Sequence, residues 1–121
     1  MDGATPNVVT EDGLRDRLSD GSLIEVICNQ TAEKRHNSWY GSWVVHAVTK
    51  DGKDAKMLVT SRSFFKLREF KTIVGLVSFL ADMGCLSANI PLIAGRRERH
   101  EALGSPATAT SLEHSSTHSA V

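Results

Sequence analysis

Apolar positions along this chain keep two different periods, and each predicts a different element. In EDGLRDRLSD, residues 11–20, Leu14 and Leu18 stand four apart among charged residues, which is the spacing of one helix face. Thr10 is a natural N-cap, Glu11 and Asp12 suit the positive end of the helix dipole, and Gly21 is a natural stop. The period then falls to two. LIEVICN, residues 23–29, puts Ile24, Val26 and Cys28 on one strand face and Leu23, Glu25 and Ile27 on the other. QTAEKRHNS is polar and reads as a loop. WYGSWVVHAVT, residues 39–49, is β-rich, with Trp39, Trp43, Val45 and Ala47 on one side and Tyr40, Val44, His46 and Val48 on the other. KDGKDA, residues 50–55, carries the Asp51-Gly52 turn signal, and KMLVTSR, residues 56–62, returns as an antiparallel partner.

The helical period resumes between Thr72, a good N-cap, and Gly84, a good stop. In IVGLVSFLADM only Gly75, Ser78 and Asp82 are not large or apolar, and they form one narrow stripe. Such a helix is expected to be contacted on more than one side. Leu76 or Val77 would then meet the first helix or a second subunit. CLSANIPLI, residues 85–93, reads as a final strand, with Pro91 at an edge or strand end. GRRERHEAL reads as a short helix or a solvated extension. The order α-β-β-β-α-β predicts an α+β two-layer sandwich: a mainly antiparallel sheet of three to four strands with one long helix packed on one face. The expected organisation is a loose leader over residues 1–9, one domain over 10–101, and a Ser/Thr/Ala-rich tail over 102–121 whose composition is that of a disordered segment.

Composition narrows the functional classes. The chain has 121 residues, and 14 cations balance 14 anions, so no global field draws polyanions and any basic surface must be local. Cys28 and Cys85 are far apart in apolar contexts and read as buried thiols, with no Cys/His cluster that suggests zinc. The first twenty residues are acidic and polar, unlike a signal peptide, and the longest apolar run is too short to span a bilayer. The expectation is a soluble cytoplasmic protein with no cofactor and no metal. Motifs for hydrolytic or phosphate-loop chemistry are missing, and the histidines are scattered, so no catalytic residues are expected.

One stretch breaks the neutrality. SRSFFKLREFK, residues 61–71, holds three of the four phenylalanines, and it sets Arg62, Lys66, Arg68 and Lys71 against Glu69 alone. Cations neutralise phosphates and aromatic rings stack on unpaired bases, so this composition fits a nucleic-acid contact. It equally fits a strand-to-helix link in which Phe70 staples the start of the second helix and Phe64 or Phe65 dips into the core. Lys34 and Arg35, followed by His36, Trp39 and Tyr40, repeat the mixture of charge and aromatic rings. Arg96, Arg97 and Arg99 extend the basic inventory, but Glu98 and Glu101 offset them.

The segment KMLVTSRSFFKLREFKTIVGLVSFLADMGCLSANIPL resembles small plasmid-encoded ParC-type partition-associated proteins over roughly residues 39–93. The matching positions are Phe70, Lys71, Thr72 and Ile73 at a helix start and Phe79, Leu80 and Gly84 at its end. The resemblance implies a non-enzymatic accessory role in bacterial plasmid maintenance, contacting DNA or a partition protein. It gives no catalytic residues. The alternative expectation is an adaptor or inhibitor that acts as a homodimer through its apolar helix and binds no nucleic acid.

Overall fold

A computed structural model describes residues 7–60 and 66–105. Strands dominate it. A curled, mixed seven-stranded sheet forms a half-barrel, and two short helices fill its hollow. This overturns the expected two-layer sandwich with one long helix on a three- to four-stranded sheet. The physical reason lies in lengths. The second helix has only ten residues, about 15 Å of rise, while two strands run to 13 and 11 residues and bend around it.

In chain order the elements are β1 (Val8–Val9), α1 (Glu11–Ser19), β2 (Leu23–Arg35), β3 (Ser38–Val48), β4 (Ala55–Thr60), β5 (Lys66–Leu67), β6 (Phe70–Thr72), α2 (Ile73–Asp82) and β7 (Arg97–His100). The main path of the sheet is β1-β4-β3-β2-β7, with β5 paired to β4 and β6 paired to β3. The β1–β4 pair is parallel and the others are antiparallel.

Both expected helices form where their caps stand. Thr10 Oγ1 accepts the Gly13 amide at 3.3 Å, and Thr72 Oγ1 accepts the Gly75 amide at 3.0 Å. Leu14 and Leu18 are buried together with Leu76, Phe79, Leu80 and Met83. They pack against Ile24, Val26 and Cys28 of β2 and Trp43, Val45 and Ala47 of β3. The alternation read from the sequence holds over those stretches. Leu76 is wholly buried in the chain's own core, so its burial needs no second subunit.

Four stretches differ from their sequence expectation. Residues 30–38 are not a loop. β2 continues to Arg35 and turns at His36 and Asn37, both with positive φ (52° and 69°), directly into β3. That pair of left-handed residues is the tight hairpin turn whose twist matches its strands. Residues 85–93 are irregular apart from a single bridge between Cys85 and Ala102. The last strand is instead the charged Arg97–His100, an edge strand on β2, where exposed arginines keep the edge soluble. Val8 and Val9, placed in the leader by composition, pair with Met57 and Leu58. Arg62, Phe64, Phe65, His114, His118, residues 1–6 of the leader and residues 106–121 of the tail lie outside the described residues. No helix among the described residues is long and apolar enough to cross a membrane.

Candidate nucleic-acid interface

The distal half of the β2–β3 hairpin carries the first basic stretch. Lys34 pairs across the ladder with Trp39, and Arg35 with Ser38. Successive residues point to opposite faces. Lys34 and Trp39 therefore share one face, while Glu33, Arg35 and Tyr40 share the other. Register shifts between Cys28 and Gln30, and between Gln30 and Glu33, increase the twist and re-aim this end. Trp39, near the hairpin tip, is 43% exposed, whereas Trp43 is wholly buried and donates its indole N–H to the Pro91 carbonyl at 2.8 Å.

The second basic stretch reaches the same place from the other side of β3. β6 pairs with β3 through Phe70↔Trp43 and Thr72↔Tyr40, which sets Lys71 beside the hairpin. A groove of about 590 Å³ results, lined by Gln30, Thr31, Glu33, Arg35, Tyr40, Gly41 and Lys71. The Arg35 guanidinium lies over the Tyr40 ring, 5.2 Å from its centroid. Gly41 in the groove's lining is closely packed: a Cβ there would fall 2.9 Å from both the Gln30 carbonyl and the Trp43 ring.

The groove's cations are loosely held. Arg35 pairs with Glu33 at 3.6 Å and Lys71 with Glu69 at 3.9 Å, with both pairs mostly solvated. Exposed pairs of this kind contribute roughly 0–1 kcal/mol, so an incoming phosphate can displace them. Glu69 is further tied by the Ser42 hydroxyl, which donates to its carboxylate.

The remaining expected contacts are not gathered here. Lys66 is exposed on β5, where it pairs with Thr60. Arg68 is half-buried, and its guanidinium lies 4.5 Å from the centroid of the Phe70 ring. Phe70 is 4% exposed and meets Phe79 at 5.0 Å between centroids, so it belongs to the core and cannot serve as a stacking platform. Arg62 lies outside the described residues.

A second charged cluster was not legible as a unit. Glu25 is 5% exposed within β2, and its carboxylate receives Arg97 and Arg99 of β7, each at 3.2 Å. His46 stands directly opposite Glu25 on β3. Burial pushes the His46 imidazole below the usual histidine pKa; the nearby Glu25 opposes this, and Arg97 adds to it. The available signal was an acid inside an apolar strand, which demands partners. The thiols are poor nucleophiles: burial raises both, Cys85 to about 11. No family model, curated protein or solved structure matches this chain.

Proposed function

We propose that this chain is a non-enzymatic nucleic-acid-binding module whose contact surface is the groove between the β2–β3 hairpin and β6. The observation that carries the reading is the union of Arg35, Tyr40 and Lys71, drawn from two separate basic-aromatic stretches, around one open polar groove. Lys34 and the exposed Trp39 present a further cation and ring on the opposite face of the same hairpin. Cations supply salt-dependent affinity for phosphates, and an exposed ring offers a stacking face to an unpaired base. On the resemblance to ParC-type partition-associated proteins, such binding would be an accessory step in plasmid maintenance in the bacterial cytoplasm.

The test is a binding titration of labelled mixed-sequence single- and double-stranded DNA at several salt concentrations. The chain is compared with its Arg35→Ala/Lys71→Ala variant. Each lost phosphate contact should lower the salt slope by about 0.7–0.9. No binding by the unaltered chain at low salt, or an unchanged slope in the variant, rejects the groove.

A second reading, an adaptor acting as a homodimer, has its own observation. Val74 and Leu86 are 74% and 76% exposed, and Val77 also reaches solvent on the outer side of α2. Sedimentation over a concentration series decides it: a strict monomer removes the dimer.

A further inference from the structure

We propose that Arg97 and Arg99 form a phosphate-binding clamp on the sheet face opposite the core, with Glu25 as its positioning residue. The site is separate from the hairpin groove. Arg97 and Arg99 stand two apart on β7 and so share one face; their ladder partners are Ile27 and Glu25. The two oxygens of the Glu25 carboxylate are divided between them: Arg97 Nη1 donates to Oε1 and Arg99 Nε to Oε2, each at 3.2 Å.

Exposure is split sharply across this cluster. The Glu25 side chain is 6% exposed, while those of Arg97 and Arg99 are 55% and 47% exposed. The negative charge is therefore beneath the surface with both oxygens engaged, and the positive charge faces outward. Two guanidiniums against one carboxylate leave a net charge of +1. Each guanidinium has five N–H donors, and each gives one of them to Glu25, so donors remain for a ligand. Arg99 also reaches the β3–β4 turn: a Cβ on Gly52 would fall 3.4 Å from its Nη1. Glu98 does not compete on this face: it alternates to the other side of β7 and receives the Asn89 side-chain amide at 3.2 Å.

Two fixed guanidinium forks with free N–H groups suit a tetrahedral oxyanion, whose several oxygens accept charge-assisted bonds from both. A buried carboxylate that serves only to neutralise its partners would need one arginine. Here it orients two and leaves the excess charge at the surface. The ligand chemistry is a phosphate group, from a free phosphate or from a nucleic-acid backbone.

The test is calorimetry on the full chain with inorganic phosphate and, separately, with a short mixed-sequence oligonucleotide lacking terminal phosphates. Arg97→Gln/Arg99→Gln should weaken binding by about tenfold or more. Arg97→Lys/Arg99→Lys keeps the charge and removes the forks, so it should weaken binding as well; it also serves if the glutamine variant fails to fold. Glu25→Gln should weaken binding despite removing a negative charge. In the Arg35→Ala/Lys71→Ala background, adding Arg97→Gln/Arg99→Gln should still weaken the binding of inorganic phosphate, which separates this clamp from the groove. Loss of phosphate binding in the glutamine or lysine variant assigns the site to free phosphate, and loss of oligonucleotide binding alone assigns it to the backbone diester. No binding of either probe by the unaltered chain, equal binding by the arginine variants, or tighter binding by Glu25→Gln overturns the proposal.

Discussion

Arg68 lies over Phe70, its guanidinium carbon 4.5 Å from the ring centroid, and this contact divides the roles of the basic-aromatic stretch. The phenylalanine faces inward against Phe79, and the arginine covers it from the solvent side. Truncating the two residues should therefore give different results. Phe70→Ala leaves a cavity under the start of α2 and should cost about 3–5 kcal/mol in a denaturant titration. Arg68→Ala loses a partly exposed cation–π contact and should cost about 0.5–1 kcal/mol. Equal losses would contradict this division.

The limits of legibility follow the same physics. Both helix starts were readable because a threonine cap announces itself locally, and Leu14, Leu18, Phe79 and Leu80 keep helical spacing. The core halves of β2 and β3 were readable because one face alternates. The outer half of β2 was not. Residues 30–35 are mostly solvated on both faces, so no alternation marks them. His36-Asn37 also lacks the glycine that usually signals a two-residue hairpin, although both residues take positive φ. β7 was hidden for a related reason. Arg97, Glu98 and Arg99 look like a solvated run, and their strand character comes from hydrogen bonds to β2 and from Glu25, distant in sequence. CLSANIPLI erred the other way: its apolar residues suggested a strand, yet Leu86, Leu92 and Ile93 are exposed. Of the candidate site, the residue types were visible. Their meeting was not, because the β6–β3 pairing that joins Lys71 to Arg35 is nonlocal.

Gly41 should not tolerate a methyl group. Its two nearest obstacles are a backbone carbonyl, Gln30 O, and the buried Trp43 ring, and neither can rotate away. Overpacking of this kind typically costs about 1–3 kcal/mol. Gly41→Ala should lower the denaturation midpoint by a corresponding amount and red-shift the Trp43 emission as its ring is displaced. A variant as stable as the parent would show that the groove lining is soft.

His46 predicts an acid-side loss of stability. Its pKa in the folded chain lies below the usual 6.5, because burial disfavours the imidazolium. The unfolded chain therefore binds the proton more readily, and protonation favours unfolding. The contribution is neutral above the unfolded pKa, begins to destabilise as pH falls through about 6.5, and levels off below the folded pKa. Denaturation midpoints measured from pH 8 to pH 5 should fall for the parent chain and fall less for His46→Gln. Parallel pH curves for the two proteins would assign the loss to other groups.

The final described residues should stabilise the turn that ends α2. A helix leaves its last carbonyl groups without intrahelical partners. In this chain the Phe79, Leu80 and Ala81 carbonyls accept the Met83, Cys85 and Gly84 amides, while Asp82 and the two residues after it are met from elsewhere in the chain. Arg15 donates to the Asp82 carbonyl at 3.1 Å, the Gly104 amide to Met83 at 2.9 Å, and the Leu103 amide to Gly84 at 3.3 Å. Gly84 cannot easily be replaced at this junction: its φ is +92°, and a Cβ would press on the Ser105 carbonyl. Arg15 also donates to the Gly104 carbonyl at 3.2 Å, linking α1, the end of α2 and the last residues. The sequence alone placed the end of the domain at Glu101, yet these bonds run on to Gly104. A chain ending at Glu101 loses the bonds from Leu103 and Gly104 and one partner of Arg15. At about 0.5–1.5 kcal/mol for each of these three hydrogen bonds, it should be less stable than a chain ending at Ser105 by roughly 1.5–4.5 kcal/mol. Thermal melts of the two truncations, side by side, should differ by at least about 4 °C for a domain of this size. Coincident melts would mean that water replaces these donors at no cost.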